Sequence, residues 1–231
     1  MSDLEKKTGL PCLFCGNTGT EAIVLPDREY HRCLSCQGIT LDQRFRLSAS
    51  AEQERYRLHI NTLDDRGYPS YLTHFLDTVL DFYRTRFSPD IKTLRLFDFG
   101  SGPTPALVEL ARERGIDTRF WDPFFAPEGK NFIGGADIVT CLEVAEHFYE
   151  PRTNFLHLAG ELRPGGLLAI GTLLCDNKDF PSWWYRQDST HVSFYSKQAL
   201  LALGREVGLV LESAKDDRIF LFTTKDNPSS P

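Results

Sequence analysis

The pattern of apolar and polar positions divides this chain of 231 residues into three regions. Residues 1–45 are rich in cysteine, glycine and turn-forming residues. In residues 48–87, apolar side chains recur at helical spacing, most clearly over 76–83, and Pro69 interrupts the stretch. From about residue 91 onward, short apolar runs alternate with helical patterns. We therefore predict a small N-terminal module, a helical segment and an α/β domain.

The third region reads as an alternation of strands and helices. Predicted strands cover 93–99, 118–121, 136–141, 167–173, 209–214 and 219–223, and predicted helices cover 105–114, 153–162 and 197–207. Ser196 suits the N-cap of the last helix. Such alternation predicts a doubly wound, Rossmann-like and mostly parallel sheet, whose antiparallel last strand comes from a closing hairpin. The predicted domains are 1–45 for the module, 46–90 for a helical cap or linker, and 91–231 for the α/β domain.

Composition places the chain among ordinary globular proteins, with 41% hydrophobic residues, 25% charged residues and a net charge of −6. A non-specific nucleic-acid binder usually carries a basic excess, which is missing here. The N-terminus has no apolar run typical of a signal peptide, and the longest apolar stretch, 166–175, is too short to span a bilayer. We expect a cytoplasmic protein without a membrane partner, whose thiols stay reduced.

Four cysteines form two knuckles in the N-terminal region. Cys12-x2-Cys15 and Cys33-x2-Cys36 are separated by 17 residues, a spacing typical of structural zinc sites. Each CxxC places two thiolates on one tight turn, and two such turns complete a tetrahedron around Zn²⁺. Four thiolates leave no open coordination position, so a structural ion is expected. Two coincidental pairs of reduced cysteines, or a redox pair, are the alternatives.

A glycine-rich loop follows the first predicted strand of the α/β domain. In Asp98-Phe-Gly100-Ser101-Gly102, the two glycines let the backbone pass close to a ligand, and a helix N-terminus follows. Asp122 ends the next strand, 20 residues after Gly102. A carboxylate at that position is suited to binding both ribose hydroxyls of an adenosine cofactor in the crevice at the carboxyl ends of the strands.

Five features in order give the chain its resemblance to a known family, over about residues 91–224. They are Asp98-x-Gly-x-Gly, Asp122, the strand ending Cys141-Leu142-Glu143, the Arg163-Pro-Gly-Gly166 turn and the closing hairpin. Together with the cysteine quartet, they resemble a class I S-adenosylmethionine-dependent methyltransferase with an N-terminal four-cysteine zinc-binding module. The resemblance implies S-adenosylmethionine as cofactor.

The same resemblance assigns a position along the cofactor to each of these residues. Gly100, Ser101 and Gly102 would pass beside its methionine part, and Asp98 would lie near its amino group, directly or through water. Asp122 would bind the ribose, Pro123 or Phe124 would lie against the adenine, and Cys141, Leu142 and Glu143 would face the cofactor. The alternatives are a structural carboxylate for Asp98 and a core residue for Cys141.

Two departures from the family pattern affect the cofactor site. The loop reads Gly-Ser-Gly-Pro-Thr-Pro and so lacks a third glycine, which also rules out the dinucleotide pattern GxGxxG. Only 14 residues separate Asp122 from Asp137, where the family fits a helix and a strand. We expect the third helix to be missing and the third strand to be reduced to about 131–133.

Two segments carry candidate groups for the acceptor end of the site. One is Glu143-x-x-Glu146-His147, and the other is the aromatic stretch 180–195. His191 is the first candidate for a general base because an unperturbed histidine titrates near neutral pH. His147 is the second candidate, and Tyr185 is a candidate orienting group. Alternatively, His191 ties its loop to backbone carbonyls, His147 caps a helix, and Trp183 and Trp184 are packing residues.

The helical segment suggests a cap over the cofactor. In related enzymes an N-terminal helical cap closes over this site, so Tyr56 and Tyr68 are candidates for cofactor contact. An apolar helix face packed on the sheet is the equal alternative.

The leading functional prediction is a methyltransferase that acts on a small molecule. A four-cysteine module before such a domain resembles the sugar C-methyltransferases of deoxysugar pathways. One alternative is an RNA methyltransferase that binds RNA through the zinc module, against which the lack of basic excess counts. Another is a non-catalytic binding protein that keeps the cofactor fold. The sequence predicts neither the acceptor atom nor the oligomeric state.

Overall fold

The computed structural model describes residues 9–58, 67–87, 93–129, 131–132, 135–176 and 178–224. Within these ranges the strands form two sheets, one of four strands and one of six.

The small sheet joins the N-terminal module to the C-terminal half of the chain. Its strands are β1 (Thr20–Val24), β2 (Glu29–Cys33), β3 (Ile39–Leu41) and β8 (Ser193–Phe194), all antiparallel to their neighbours. In the last pairing, Ile39 lies opposite Phe194 and Thr40 lies opposite Ser193. The sheet therefore joins strands from both sides of the domain boundary that the sequence predicts at residue 45. That boundary remains a prediction from sequence.

The large sheet confirms the predicted fold class. Its strands are β4 (Arg95–Phe99), β5 (Asp117–Trp121), β6 (Ala136–Leu142), β7 (Leu162–Gly171), β9 (Leu209–Lys215) and β10 (Ile219–Thr224). They lie in the order β5-β4-β6-β7-β10-β9, in which the first four are parallel and β10 is antiparallel to both of its neighbours. Asp216 and Asp217, both with positive φ, form the tight turn of the closing hairpin.

Helices cover both faces of this sheet because alternate residues of each strand are buried on opposite sides. The helices are α1 (Ala49–Arg57), α2 (Tyr68–Phe87), α3 (Ala106–Glu113), α4 (Pro151–Glu161) and α5 (Lys197–Glu206). Leu167, Ala169 and Leu221 pack with α2 and α3, whereas Leu168 and Phe222 pack with α4, α5 and the cysteine module. Among the described helices, none has both the length and the apolar character needed to cross a bilayer.

Three local predictions differ from the structure. Pro69 does not break a helix, since it lies in the first turn of α2, where a missing N–H costs nothing. Strand β7 begins at Leu162 rather than Leu167. The turn expected at 163–166 is instead an irregularity within the strand, where Gly165 takes φ +76° and the register with β6 shifts. The residues described between Asp122 and β6 form no helix, as expected. They form no third strand either, although Ile133 lies outside the described residues.

Candidate active site

A cavity of about 630 Å³ opens at the carboxyl ends of β4, β5 and β6. This volume falls in the range of small-molecule sites, ~300–1,000 Å³. Thirteen of the fifteen residues predicted for cofactor binding or catalysis line it: Tyr56, Tyr68, Gly100, Ser101, Gly102, Asp122, Pro123, Phe124, Leu142, Glu143, His147, Tyr185 and His191. Asp98 and Cys141 do not line it. One cavity thus brings together the predicted cofactor and acceptor residues.

Asp98 and Cys141 lie beneath the surface of the site. Asp98 is 4% exposed and accepts a 2.6 Å hydrogen bond from the Thr140 hydroxyl. Burial raises the pKa of the Asp98 carboxyl to about 6, the Thr140 bond opposes the shift, and the Asp122 charge adds to it. The Cys141 side chain is fully buried in the core cluster on one face of the sheet. Direct contact of either residue with a cofactor remains a prediction, and the burial of Cys141 fits the alternative of a core residue.

The glycine loop has the conformation that its sequence predicts. Gly100 and Gly102 have φ +84° and +66°, which L-residues with side chains rarely adopt. A Cβ on Gly100 would lie 2.5 Å from a methyl carbon of Val144, whereas a Cβ on Gly102 would meet nothing within 4 Å. Gly100 therefore permits close packing against the chain after β6, and Gly102 presents open space to the cavity.

Asp122 holds the floor of the cavity together through backbone amides. Its Oδ2 accepts a 2.9 Å hydrogen bond from Gly102 N–H, and its Oδ1 accepts 2.9 Å bonds from the N–H groups of Phe124 and Phe125. A carboxylate has about four lone-pair sites, so about one remains for a ligand. The structure thus gives Asp122 a loop-holding role, and the predicted contact with both ribose hydroxyls requires some of these amide bonds to open.

Glu143 lies at the end of β6 in a strained backbone conformation. Its φ of +53° is uncommon for a residue with a side chain, and such strain is frequent at functional sites. The Tyr71 hydroxyl donates a 2.7 Å hydrogen bond to Oε1, and Arg218 lies 3.8 Å from the same oxygen. Burial, followed by the charge of Glu146, raises the pKa of Glu143 to about 7. The site therefore places a carboxyl that is strained and partly buried on the cavity wall.

Glu146 is fully buried yet both of its oxygens have donors. Tyr185 OH donates to Oε1 at 2.6 Å, and Thr172 OH donates to Oε2 at 3.0 Å. Burial raises the pKa of this carboxyl, and the two hydroxyl donors oppose the shift. Tyr185 thus positions Glu146, and this contact supports the predicted orienting role of Tyr185.

His147 and His191 meet with their ring centroids 4.9 Å apart. His147 Nδ1 lies 3.0 Å from the carbonyl oxygen of Thr190, and His191 Nδ1 lies 2.7 Å from that of Tyr185. A carbonyl only accepts, so each Nδ1 carries the proton and each neutral ring keeps its lone pair on Nε2. Burial lowers the pKa of His147. The predicted tie between His191 and a backbone carbonyl exists, and it leaves the other ring nitrogen as an acceptor.

The aromatic stretch 180–195 divides into packing and cavity residues. Trp183 is 8% exposed and belongs to a core cluster that also includes Phe194 of β8. Trp184 is 63% exposed and lines the cavity. Trp183 is therefore a packing residue, and the neighbouring tryptophan has a surface suited to contact with a ligand.

Helix α1 covers the cavity, as the predicted cap requires. The Tyr56 ring lies 5.6 Å from Phe124 and 5.1 Å from His147, between the predicted adenine end and the histidine pair. Arg55 forms a 2.9 Å ion pair with Asp188, which ties the cap to the stretch before His191. These contacts support a covering role for Tyr56.

Glu52 is a buried cavity residue that the sequence analysis missed. It is 7% exposed and accepts hydrogen bonds from the hydroxyls of Tyr56, at 2.7 Å, and Tyr149, at 3.3 Å. A polar residue in a short, weakly amphipathic helix gives no sequence signal of burial. Only the fold brings Tyr149 to it.

The four cysteine sulfurs converge on one point. The Sγ atoms of Cys12 and Cys36 lie 3.6 Å apart, those of Cys15 and Cys33 lie 3.6 Å apart, and all four lie within 4.8 Å of one another. Four thiolates at 2.3 Å from a tetrahedral zinc ion stand roughly 3.8 Å apart. These four cysteines form no disulfide. The donor set and its spacing therefore fit a structural zinc ion.

Comparison with known proteins shows where the resemblance lies. A family model described as "Methyltransferase domain" matches residues 71–214. Ubiquinone biosynthesis O-methyltransferase of Erwinia tasmaniensis is 30% identical over 86 residues, which are 37% of this chain and 34% of that protein. The same enzyme of Cronobacter sakazakii is 29% identical, again over 37% of this chain and 34% of that protein. The chain thus spans about a third of the length of these curated relatives.

Solved structures share the fold at low identity. Magnesium protoporphyrin IX methyltransferase from Synechocystis PCC 6803, with bound SAH, matches with a TM-score of 0.53 and 14% identity over 76% of this chain and 95% of that one. The 1,6-didemethyltoxoflavin-N1-methyltransferase of Burkholderia thailandensis matches with a TM-score of 0.51 and 13% identity over 87% and 96%. At these identities the likeness concerns the fold alone.

Proposed function

This chain belongs to the methyltransferase domain family, and from that premise we propose that it transfers the methyl group of S-adenosylmethionine to a small-molecule acceptor. The observation that carries the proposal is a single cavity lined by the glycine loop and Asp122 at one end and by His147 and His191 at the other. A cavity of about 630 Å³ suits two small molecules side by side better than a macromolecular surface. Curated relatives named as ubiquinone biosynthesis O-methyltransferases favour a small acceptor as well.

The cofactor end fits S-adenosylmethionine through shape and charge. The open space at Gly102 admits an extended ligand beside the loop, and Asp122 offers a carboxylate at the end of β5. Phe124 and Tyr56 supply aromatic surface at the adenine end, and Asp98 lies beneath with a negative charge when ionised. When bound, the cofactor supplies a methyl group on a positively charged sulfur, which is a good leaving group.

The acceptor end is assigned to the wall formed by Glu146, His147 and His191. The nucleophile must lie in line with the methyl–sulfur bond, so this wall must orient it and deal with its proton. His191 is our first candidate for that role because its Nδ1 proton is fixed on a carbonyl and its Nε2 keeps the lone pair. His147 is the second candidate, held in the same way. Tyr185 donates a hydrogen bond to Glu146, one oxygen of which lies within 4.8 Å of a nitrogen of each imidazole.

A structural zinc ion at the four cysteines completes the proposal. The four sulfurs lie within 4.8 Å of one another, which suits a tetrahedral ion, and Cys12, Cys33 and Cys36 are buried in the core that also contains α4 and α5. With all four ligands supplied by thiolates, the ion would support the fold and leave no position open for an acceptor.

Calorimetry with S-adenosylmethionine tests the cofactor assignment on zinc-loaded protein. We expect a single site that Asp122→Asn weakens, because the substitution removes a charge and disturbs three amide bonds. Absence of binding by the parent protein would overturn the proposed activity. Circular dichroism separates a weakened site from an unfolded variant.

A screen of cell-extract fractions with labelled cofactor tests the acceptor class. We expect label in the small-molecule fractions and its loss in His191→Ala, while calorimetric affinity for the cofactor is kept. Label found only in RNA would contradict the acceptor class without touching the cofactor assignment.

A further inference from the structure

Two imidazoles and one carboxylate converge in the cavity wall. They belong to a part of the sequence far from the four cysteines. One ligand atom from each of Glu146, His147 and His191 lies within 4.8 Å of the other two. Ligands at about 2.1 Å from one ion stand roughly 3–3.5 Å apart, so small side-chain rotations would close this group on a metal ion. The three residues come from two loops, one after β6 and one before β8.

The imidazoles are held in the orientation that metal ligands require. Each ring donates Nδ1–H to a backbone carbonyl, His147 to Thr190 and His191 to Tyr185. Histidines that bind metals almost always donate their other ring proton in this way, which fixes the tautomer and the ring plane. Both Nε2 atoms are thereby set as lone-pair donors, which is the form of imidazole that binds a metal ion.

The carboxylate is supported in the same manner. Tyr185 and Thr172 each donate a hydroxyl to one oxygen of Glu146, and each oxygen keeps a further lone pair. Within the described ranges, no arginine or lysine nitrogen forms an ion pair with Glu146, and the charge of Arg218, which pairs with Glu143, acts on Glu146 only from a longer distance. A buried carboxylate without such a partner is costly unless another cation compensates it.

A second group of similar composition lacks this feature. Glu29, His31 and Asp42 also converge within 4.8 Å, but Arg44 forms ion pairs with Glu29 at 2.7 Å and with Asp42 at 2.9 Å. A guanidinium already occupies the place of a cation there. The contrast singles out the cluster in the cavity wall.

We infer that Glu146, His147 and His191 bind a divalent first-row transition-metal ion. Two imidazoles with one carboxylate favour Mn²⁺, Fe²⁺ or Zn²⁺ over Mg²⁺ or Ca²⁺, which prefer oxygen ligands alone. Three protein ligands leave open positions that face the cavity. The acceptor class that such an ion binds is a hydroxyl compound, whose oxygen takes an open position.

The role of the cation in binding the acceptor rests on the proposed function. Binding of the cation itself does not depend on that function. The cation lowers the pKa of the bound hydroxyl, the proton leaves to water, and the oxygen attacks the methyl carbon of the cofactor. The carbon–sulfur bond breaks with its electron pair going to sulfur, giving a methyl ether and S-adenosylhomocysteine. His191 then acts as a ligand, and loss of transfer in His191→Ala fits this role as well as that of a base.

The site is tested by adding Mn²⁺ to zinc-loaded protein. Calorimetry and electron paramagnetic resonance measure the binding. Mn²⁺ is a suitable probe because thiolates prefer zinc, so the cysteine site should stay undisturbed. We expect one Mn²⁺ site, weakened by 10-fold or more in His191→Gln and in Glu146→Gln. His157→Gln, a change on the exposed side of α4, and His31→Gln in the second group should leave affinity unchanged.

Several outcomes would overturn the cation site. No Mn²⁺ binding by the folded parent protein does so, as does binding that is lost in His31→Gln and kept in His191→Gln. If the protein binds no Mn²⁺ and still transfers the methyl group after passage over a chelating resin, the cation site is overturned and the proposed function is kept. Mn²⁺ binding without any affinity for S-adenosylmethionine would overturn the proposed function and leave the cation site in place.

Discussion

The backbone N–H of Leu41 donates a 2.8 Å hydrogen bond to the carbonyl oxygen of Val192, the residue after His191. Immediately beyond, β3 pairs with β8, and the Ser196 hydroxyl donates to the carbonyl of Cys36. Strand β3, which follows the last cysteine of the quartet, therefore pairs with the strand that comes shortly after His191. None of the described residues 9–45 lines the cavity, so we expect the cysteine module to affect the active site through backbone position.

Loss of zinc should consequently disturb the acceptor wall before the cofactor loop. In Cys36→Ser, we expect methyl transfer to fall by 10-fold or more while the affinity for S-adenosylmethionine changes less, because the glycine loop follows β4 of the six-stranded sheet, whereas β8 belongs to the four-stranded sheet. Zinc content, calorimetry and labelled transfer measure the three quantities. Cys175→Ser, at a buried cysteine outside the quartet, is the matched control and should retain zinc. Equal loss of cofactor binding and transfer would contradict this division.

The predictions from sequence succeeded where the signal is local. The glycine loop, the N-cap at Ser196 and the closing hairpin each depend on a few consecutive residues, and each is found as expected. The pairing of β3 with β8 escaped because it joins a two-residue strand to a segment about 150 residues away. A tie of His191 to a backbone carbonyl was among the alternatives from sequence, but its partner, Tyr185, and the bond between His147 and Thr190 escaped, since only the fold brings these carbonyls near.

The two glycines of the loop should respond differently to alanine. Gly100→Ala places a Cβ 2.5 Å from Val144 and forces an unfavourable φ, so we expect a loss of unfolding free energy well above the ~1–2 kcal/mol that φ alone costs. Gly102→Ala should lose only about that smaller amount but bind S-adenosylmethionine more weakly, since its methyl group projects into open cavity. Denaturant unfolding and calorimetry measure the two effects.

A second substitution checks the physical cause at Gly100. Val144→Ala in the Gly100→Ala background removes the methyl groups that clash and should restore part of the lost unfolding free energy. If the double variant is as unstable as the sum of the single changes, the clash is not the cause.

Asp98 should make stability depend on pH in mildly acidic solution. Its pKa rises from 3.8 in the unfolded chain to about 6 in the fold, chiefly through burial and with Asp122 adding to the shift. Between these values the folded state binds more protons, so its contribution to the unfolding free energy falls as pH rises from 4 to 6 and is constant above. We expect Asp98→Asn to gain about 3 kcal/mol over the parent protein across that interval.

Urea unfolding of both proteins at several pH values measures the difference, in which groups common to both cancel. Parallel pH curves for the parent and Asp98→Asn would contradict the raised pKa. Thr140→Val removes the hydroxyl donor at 2.6 Å and should raise the pKa of Asp98 further, which extends the fall to higher pH and enlarges it.

The adjacent tryptophans should separate stability from acceptor binding. Trp183 is buried against Phe194 and Tyr185, with ring centroids 5.9 and 5.1 Å away, so Trp183→Ala should lose about 3–5 kcal/mol of unfolding free energy. Trp184 is 63% exposed at the cavity, so Trp184→Ala should change stability by no more than about 0.5 kcal/mol. We expect Trp184→Ala to raise the KM for the acceptor and to leave the affinity for S-adenosylmethionine unchanged. The reason is that Trp184 belongs to the aromatic stretch before His191 and not to the glycine loop. Denaturant unfolding and steady-state kinetics with the acceptor fraction found in the screen decide the matter, and an unchanged KM in Trp184→Ala would place the acceptor elsewhere in the cavity.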